Sequence, residues 1–266
     1  MSLEDRLRAA GCVYAEEEAA LLRDEAAGER LETLVRRRVA GEPLEQVLGW
    51  AELAGVRVRL QPGVFVPRRR TAALVELADP PSGGLVVDLC CGSGAVGAAL
   101  AARRPDLEVH AADLDPVAVT CARTNLPAER VHEGDLYDAL PRRLRGRVDL
   151  LVVNAPYVPT EEVALMPAEA REHEHRVALD GGADGLDLHR RVAAGAAAWL
   201  APGGVLLLET SERQAEASYD ACVAAGLRPE VLTRPEVGAT VVRAAASSPA
   251  AADPDPEADP AGPACG

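Results

Sequence analysis

Two acidic residues and a glycine-bearing turn have the types and spacing of a site for a nucleoside. Asp88 lies in the segment VVDLCCGSGAVG (86–97), where an apolar run ends and Gly92 and Gly94 precede a helical stretch. Glycines at such a turn let backbone N–H groups approach a ligand closely. Asp113 follows 25 residues later at the end of the next apolar run, placed to accept hydrogen bonds from ribose hydroxyls. The pattern predicts a cofactor that carries a nucleoside.

The same turn also matches a dinucleotide fingerprint, so the cofactor has to be decided by a further residue. Residues 92–97 have the form G-x-G-x-x-G, and an acidic residue about 20 positions later belongs to that pattern too. A carboxylate at position 88 repels a pyrophosphate but attracts the ammonium and sulfonium groups of S-adenosylmethionine. Asp88 therefore favours S-adenosylmethionine over NAD, the alternative being that it only caps the turn.

A third chemical motif follows the apolar run 149–153. Asn154, Ala155, Pro156 and Tyr157 can together hold a planar amide or amino group. The Asn154 side-chain oxygen and the Ala155 carbonyl can accept its two N–H bonds, while the tyrosine ring packs on its face. The structural alternative is a simple turn at a strand end.

The elements that must position these residues alternate between strands and helices. After the break at 79–84, this alternation predicts a doubly wound parallel sheet, in which the carboxyl ends of the strands form the site. The last two strands are joined too closely for a helical crossover, so we expect the last to be antiparallel. The predicted strands are 85–89, 107–112, 130–132, 149–153, 204–209, 228–232 and 239–243, and the predicted helices are 95–104, 116–124, 186–200 and 211–225.

The flanking regions have different patterns. Residues 2–41 are rich in Ala, Glu, Leu and Arg and predict helices, and alternation around the Ala54-Gly55 turn predicts a hairpin of 50–53 with 56–60. Residues 62–70 are a predicted loop that leads into a helix capped by Thr71. From Ala244 onward, Ala, Pro, Ser and Asp predominate, which predicts a disordered tail.

Composition excludes several functional classes. All 28 basic residues are Arg, so neither Schiff-base chemistry nor a P-loop lysine is available. A net charge of −14 gives no general attraction to nucleic acid or to anionic membranes, and seven aromatic residues are too few for a base-stacking platform. Six scattered cysteines are expected to be reduced thiols, and no long apolar segment is present, so we expect a cytoplasmic protein.

These motifs together resemble the class I S-adenosylmethionine-dependent methyltransferases with an Asn-Pro-Pro-Tyr motif. More narrowly, the chain resembles the protein-(glutamine-N5) methyltransferases that modify peptide chain release factors. The resemblance extends from about Arg37 to Arg243 and includes RRRVAGEPLEQVLG (36–49), FVPRRRT (65–71) and ALDGGADGLDLHRRV (178–192). An ordered set of segments is more specific than any one motif.

The resemblance implies a Rossmann-like α/β fold with a seven-stranded sheet, a small N-terminal helical domain and a β-hairpin linker. The implied divisions are a substrate-recognition segment (1–45), the hairpin linker (46–70), the methyltransferase domain (71–243) and the tail (244–266). The reaction implied is methylation of a glutamine side chain in a protein, with a release factor as first candidate and no metal. The implied cofactor-binding residues are Asp88, Cys90, Gly92, Gly94, Asp113, Asp135, Leu136 and Asn154; the catalytic residues are Asn154, Ala155, Pro156 and Tyr157; and the substrate-binding residues are Asn154, Tyr157, Pro67 and Arg68.

The chain departs from the family pattern at two positions and in one region. Cys90 replaces the first glycine of the cofactor loop, Ala155 replaces the first proline of the tetrapeptide, and the N-terminal segment is shorter. The change at Ala155 is tolerable because the backbone carbonyl acts there. The alternatives are an adenine-N6 or small-molecule N-methyltransferase, a non-catalytic scaffold that binds the cofactor, and a nicotinamide dehydrogenase, which Asp88 disfavours.

The acidic and histidine-rich stretch 172–175 suggests a metal site at first sight. H-x-H with flanking acids and no third anchor is more typical of a polar loop. We therefore expect no metal there. The arginine runs are expected to be solvated, except residues 68–70, which the resemblance places over the active site.

Overall fold

A seven-stranded sheet forms the centre of the protein, which we describe from a computed structural model covering residues 1–246. A separate two-stranded hairpin precedes it. The strands of the hairpin are β1 (Trp50–Leu53) and β2 (Val56–Arg59); those of the sheet are β3 (Leu85–Leu89), β4 (Glu108–Asp113), β5 (Val131–Glu133), β6 (Val148–Val153), β7 (Leu200–Thr210), β8 (Arg228–Arg234) and β9 (Ala239–Ala245). Their order in the sheet is β5-β4-β3-β6-β7-β9-β8, parallel from β5 to β7, with β9 antiparallel to both of its neighbours.

Helices cover both faces of this sheet. The helices are α1 (Leu3–Ala9), α2 (Ala15–Glu25), α3 (Gly28–Val39), α4 (Leu44–Leu48), α5 (Ala72–Leu77), α6 (Ala95–Arg103), α7 (Pro116–Ala122), α8 (Ala168–His173), α9 (Asp187–Trp199) and α10 (Ala215–Ala224). Alternate strand residues enter opposite cores: Val86 packs with α5, α6, α7 and the hairpin, whereas Val87 packs with α9 and α10. Apolar side chains on both faces explain why the central strands are continuous hydrophobic runs.

The N-terminal helices form their own apolar cluster. Leu7, Leu22 and Val35 lie at its centre, and Val47 and Leu48 of α4 belong to it as well. The apolar cluster of the N-terminal helices therefore includes α4, most of which lies beyond the predicted division at residue 45.

The fold class predicted from the sequence is confirmed, including the antiparallel last strand. Several local boundaries differ, most clearly those of β7 and β9. Strand β7 begins at Leu200 because it pairs with Val148 before the bulge, and β9 runs to Ala245, so the predicted tail boundary at 244 falls inside a strand. The rest of the predicted tail, 247–266, lies outside the described residues. The short α8 within 168–173 was not predicted.

Thr71 does not cap α5 as predicted. It ends a short 3-10 helix (Arg69–Thr71), and its side chain makes no capping hydrogen bond. The hydroxyl instead accepts a hydrogen bond from Asn154 Nδ2 at 3.3 Å. A residue whose side chain caps a helix typically has an extended backbone, whereas Thr71 is already helical, with φ −63° and ψ −19°.

The order of the strands in the sheet predicts where a ligand site lies. From β3 the chain builds the sheet outward through β4 and β5, then returns to add β6 on the other side of β3. A crevice at the carboxyl ends of the strands is expected at such a reversal. Within residues 1–246, no helix has the length and apolar character needed to span a membrane.

Candidate active site

One pocket opens at the carboxyl ends of β3, β4 and β6. Every predicted site residue except Gly94 lines this pocket. They are Pro67, Arg68, Asp88, Cys90, Gly92, Asp113, Asp135, Leu136, Asn154, Ala155, Pro156 and Tyr157. Gly94 instead forms the start of α6, with φ +75°. A side chain there would meet Leu126 Cδ1 at 3.1 Å, so Gly94 is needed for close packing of the helix below the pocket.

Asp88 is a buried carboxylate without a counter-charge. Its Oδ2 accepts a hydrogen bond from the Gly97 N–H at 2.8 Å, and no cationic side chain of residues 1–246 pairs with it. Burial raises the pKa of Asp88 to about 8. A carboxylate that is costly to ionise beside an open pocket fits a cationic ligand, which would supply the missing charge.

Asp113 supports the turn opposite Asp88. Its Oδ2 accepts from the Gly92 N–H at 2.8 Å and its Oδ1 from the Asp115 N–H at 2.9 Å. Burial raises the pKa of Asp113 as well. Each carboxylate oxygen keeps a second lone pair for a ligand hydroxyl. Asp113 therefore holds the shape of the loop and remains able to bind a ribose.

Two of the other residues predicted to bind the cofactor have a left-handed backbone. Cys90 has φ +59° and Leu136 has φ +49°, a conformation in which residues other than glycine are strained. Asp135 lies beside Leu136 and forms an ion pair with Arg191 of α9 at 2.8 Å. The strain at Cys90 explains why glycine is the usual residue at that position in the family pattern.

We call residues 154–157 the acceptor turn, after the role predicted for them from the sequence. Asn154 Nδ2 donates to Thr71 Oγ1 at 3.3 Å, and no hydrogen bond within residues 1–246 uses Asn154 Oδ1. The Tyr157 hydroxyl donates to Glu209 Oε1 at 3.3 Å, and burial raises the pKa of Tyr157 to about 12. The tyrosine is therefore neutral, and the asparagine oxygen is available as an acceptor.

The segment after α8 holds this turn from behind. Val158 N–H donates to Leu179 O at 3.1 Å, and Gly181 N–H donates to Val158 O at 2.8 Å. Gln214 Nε2 donates to Tyr157 O at 2.9 Å. Gly185 packs so closely that a side chain there would lie 2.3 Å from Tyr157 O. The shape of the acceptor turn thus depends on this glycine.

Gly185→Ala is expected to destabilise the fold by about 2 kcal/mol more than Gly203→Ala. Both glycines have similar backbones, with φ +77° and +79°, so alanine carries a similar conformational cost at each. No atom lies within 4 Å of the added carbon at Gly203, so only Gly185→Ala also displaces the Tyr157 carbonyl. Thermal unfolding of both variants measures the difference, and equal melting temperatures would contradict the packing argument.

The loop 62–70 closes the pocket from the hairpin side. Arg68 pairs with the buried Glu174 at 2.6 Å and lies over the Phe65 ring at 4.8 Å. Arg70 also lines the pocket, whereas Arg69 is exposed. The run of three arginines is thus divided between the site and the solvent.

The histidine-rich stretch anchors this loop. Glu174 Oε1 also accepts from Val66 N–H at 3.4 Å, and His175 Nδ1 lies 2.5 Å from Asp115 Oδ2. Burial raises the pKa of Glu174. The side chains of Glu174 and His175 thus pair with neighbouring loops, as those of a polar structural element do.

Glu209 and Asn125 support the site from outside the pocket lining and were not predicted from the sequence. Glu209 lies at the end of β7 behind Tyr157, and Asn125 binds both the Arg59 backbone of the hairpin and the Ser93 carbonyl of the cofactor turn, at 2.8 to 2.9 Å. Glu209 follows three leucines in the way that Asp88 follows two valines. A charged residue at the end of an apolar strand was therefore the signal for it; no comparable signal marks Asn125.

Comparisons with known proteins identify relatives of this chain. Residues 55–173 match the family model described as methyltransferase small domain. The release factor glutamine methyltransferase of Streptomyces coelicolor is 40% identical over 189 residues, covering 68% of this chain and 67% of that protein. The enzyme of the same name from Moorella thermoacetica is 39% identical over 212 residues, covering 76% of this chain and 73% of that protein.

Other comparisons show the fold and one different activity. A crystal structure of a methyltransferase from Pyrococcus furiosus matches with a TM-score of 0.56 and 14% identity, over 80% of this chain and 97% of that chain, which shows a common fold. A 4-amino-L-phenylalanine/4-methylamino-L-phenylalanine methyltransferase from Streptomyces pristinaespiralis is 40% identical over 191 residues, covering 68% of this chain and 65% of that protein.

The pocket and the relatives agree on the cofactor. Asp88 offers a buried carboxyl that no cationic side chain of residues 1–246 pairs with, and a side chain at Gly92, with φ +55°, would meet only Phe65 Cβ, at 4.0 Å. These residues fit S-adenosylmethionine, the methyl donor that a methyltransferase domain requires. The identity over two thirds or more of the length of several such relatives shows that this chain belongs to the release factor glutamine methyltransferase family.

Proposed function

We propose that this protein transfers a methyl group from S-adenosylmethionine to the side-chain nitrogen of a glutamine in a protein, with a peptide chain release factor as the substrate. The observation that carries the proposal is the Asn154 amide, whose Nδ2 is held by Thr71 while Oδ1 is left as an acceptor in the pocket. The names of the relatives support glutamine as the acceptor.

The chemistry needs acceptors because an amide nitrogen is a poor nucleophile. Its lone pair is delocalised into the carbonyl group. Hydrogen bonds from its two N–H groups to Asn154 Oδ1 and the Ala155 carbonyl would raise its electron density and orient it. When bound, S-adenosylmethionine supplies an electrophilic methyl group on a sulfonium. Asp88 would hold the positive end of that molecule, and Asp113 its ribose.

The surroundings of the pocket favour a protein substrate. Leu114 and Val177 line the pocket and are 53% and 45% exposed, and Leu165 beside the lining residue Met166 is 82% exposed. Exposed apolar side chains around a pocket are typical of a surface that a partner covers. Arg38 of α3 is bonded to Glu169 of α8 at 2.7 Å, which holds the N-terminal unit close to the same region. The charge of −14 disfavours naked nucleic acid.

The proposal predicts that purified release factor acquires one methyl group at a glutamine. The test incubates the protein with labelled S-adenosylmethionine and unmodified release factors, then maps the methylated peptide by mass spectrometry. Replacing the mapped glutamine with asparagine in the substrate should abolish labelling, because the shorter side chain would not reach the acceptor turn. Label in nucleic acid, or on an arginine, would overturn the proposal, and cofactor binding without any transfer would indicate a scaffold.

A second candidate is methylation of the amino group of a small aromatic amine. The relative named for 4-amino-L-phenylalanine is as similar to this chain as the relatives named for release factors. An aromatic amine is also a planar NH2 group, and the same two acceptors would bind it. Transfer to 4-amino-L-phenylalanine that is faster than transfer to any release factor would favour this candidate.

A further inference from the structure

Arg70 is a cationic side chain beside the acceptor turn. It lines the pocket and precedes Thr71, whose hydroxyl accepts from Asn154 Nδ2 at 3.3 Å. Its guanidinium carbon lies 5.9 Å from the centre of the Tyr157 ring. Arg70 therefore stands next to both ends of the turn that is proposed to hold the acceptor.

The guanidinium of Arg70 is tied down at one edge. Its Nε donates to Glu209 Oε1 at 3.3 Å, and no hydrogen bond within residues 1–246 uses its Nη1 or Nη2. A bidentate pair would engage both carboxylate oxygens, but Glu209 Oε2 makes no hydrogen bond in the same part of the chain. Glu209 thus anchors the side chain and offsets its charge, while the N–H groups of both Nη atoms remain available as donors.

Two other arginines among residues 1–246 line the pocket, and acids hold both of them. Arg68 Nη2 donates to Glu174 Oε1 at 2.6 Å. Arg191 Nη2 donates to Asp135 Oδ2 at 2.8 Å. In each case the carboxylate takes a terminal nitrogen of the guanidinium, the part that at Arg70 is left for a ligand.

A glutamine amide presents two kinds of group in one plane. Its NH2 group donates, and the carbonyl oxygen on the same carbon accepts. Under the proposed function, Asn154 Oδ1 and the Ala155 carbonyl take the two N–H bonds, so the oxygen beside them needs a donor. An amine on a benzene ring has no such oxygen. A donor at this place therefore distinguishes amides from aromatic amines.

We propose that Arg70 binds the carbonyl oxygen of the acceptor amide through its Nη groups and makes the site selective for amides over aromatic amines. The inference rests on the proposed glutamine acceptor. Because the Glu209 carboxylate offsets the charge of Arg70, the guanidinium is able to lie in the same pocket as a cationic cofactor. The hydrogen bond is present before and during transfer, so it contributes to acceptor binding more than to the chemical step.

The kinetic test is Arg70→Met with the methylated substrate. The variant should raise KM for that substrate about 30-fold and leave kcat within about threefold, because a charged donor is lost from the ground state and the transition state alike. Arg69→Met is the matched control: it removes the same charge from the neighbouring residue, which is exposed and outside the pocket lining, and KM should not change.

A second variant separates this loss from a folding defect. Arg70→Met leaves the buried Glu209 without its cation, whereas Arg70→Met combined with Glu209→Gln removes both charges together. The double variant should melt close to the wild type and show the same rise in KM. A wild-type KM in the double variant, or a fall in kcat at unchanged KM, would overturn the inference.

A binding measurement distinguishes this inference from the proposed function. Propionamide, which has the amide group of a glutamine side chain, and p-toluidine, a planar aromatic amine, are each titrated into the complex with S-adenosylhomocysteine. The NMR signals of the Asn154 side-chain amide, assigned from their absence in Asn154→Ala, report binding.

Arg70→Met should weaken propionamide binding about 30-fold and leave p-toluidine binding unchanged. Equal effects on the two ligands, or no binding of propionamide to the wild type, would contradict the role of Arg70. The expected pattern in a protein that methylates no glutamine would uphold that role while refuting the proposed function.

Discussion

Asn154→Ala is expected to lower kcat for glutamine methylation about a thousandfold, with little change in the affinity for S-adenosylmethionine. The variant removes one of the two acceptors for the target NH2 group, and the Ala155 carbonyl remains. Cofactor binding should survive because Asp88, Asp113 and the glycine turn hold their positions through hydrogen bonds that do not involve Asn154.

Single-turnover kinetics and calorimetry measure the two quantities separately. A loss of cofactor affinity as large as the loss of kcat would show that Asn154 shapes the cofactor pocket. Turnover close to that of the wild type would show that Asn154 is only a turn residue. The melting temperature of the variant serves as the control for folding.

Asp88→Asn is expected to have opposite effects on binding and on stability. Removing the negative charge should weaken S-adenosylmethionine binding about 100-fold. Asparagine can still accept the Gly97 N–H bond, and it removes a buried carboxylate that is costly to ionise. The cofactor-free variant should therefore unfold at a higher temperature than the wild type at pH 8. A purely structural Asp88 would predict lower stability.

Asp88 makes the free energy of unfolding depend on pH, and the sign of this dependence follows from its pKa. The pKa of Asp88 is about 8 in the folded protein, against about 4 in an unfolded chain. Between these values the folded protein keeps a proton that the unfolded chain has lost, so the free energy of unfolding falls as pH rises, and the effect of Asp88 is complete above pH 8.

Cofactor affinity should rise with pH, whereas the free energy of unfolding falls. The cationic ligand binds the ionised carboxylate, so affinity should rise from pH 5.5 to 7.5, by at most about tenfold per pH unit. Calorimetry should show this slope for the wild type and none for Asp88→Asn. Asp149→Asn is the matched control, because Asp149 also accepts one backbone N–H bond, from Leu85 at 2.8 Å, but lies outside the pocket.

Sequence patterns predicted the framework of this protein because its central strands are buried on both faces. Continuous apolar runs mark such strands, and β3 was predicted to the residue, as 85–89. The start of β7 and the end of β9 were placed less well. Pro202, Gly203 and Ala244 suggest loops, but Leu200 pairs with Val148 and Ala244 pairs with Leu206. Pairing between distant segments is a tertiary effect that local propensity does not contain.

Contacts between distant segments also limited the prediction of the site. Asp88, Asp113 and Asn154 were predicted because each follows an apolar run, and the structure places all three in one pocket. Thr71 was predicted as a helix cap because its neighbours in sequence were all that could be considered. Its hydroxyl in fact contacts Asn154, 83 residues away along the chain. Partners that come together only through the fold cannot be read from spacing.

The tight packing behind the acceptor turn has a consequence for protein engineering. Gly181 lies so close to the turn that a side chain there would meet Pro156 O at 2.7 Å, and Gly185 is in similar contact with Tyr157 O. A graft of residues 154–157 alone into another scaffold would lose this support, so the transplantable unit is the turn together with 178–187. Variants that methylate a different acceptor should be sought by substituting residues at the rim of the pocket, such as Met166 and Val177. These residues line the pocket but lie outside that unit.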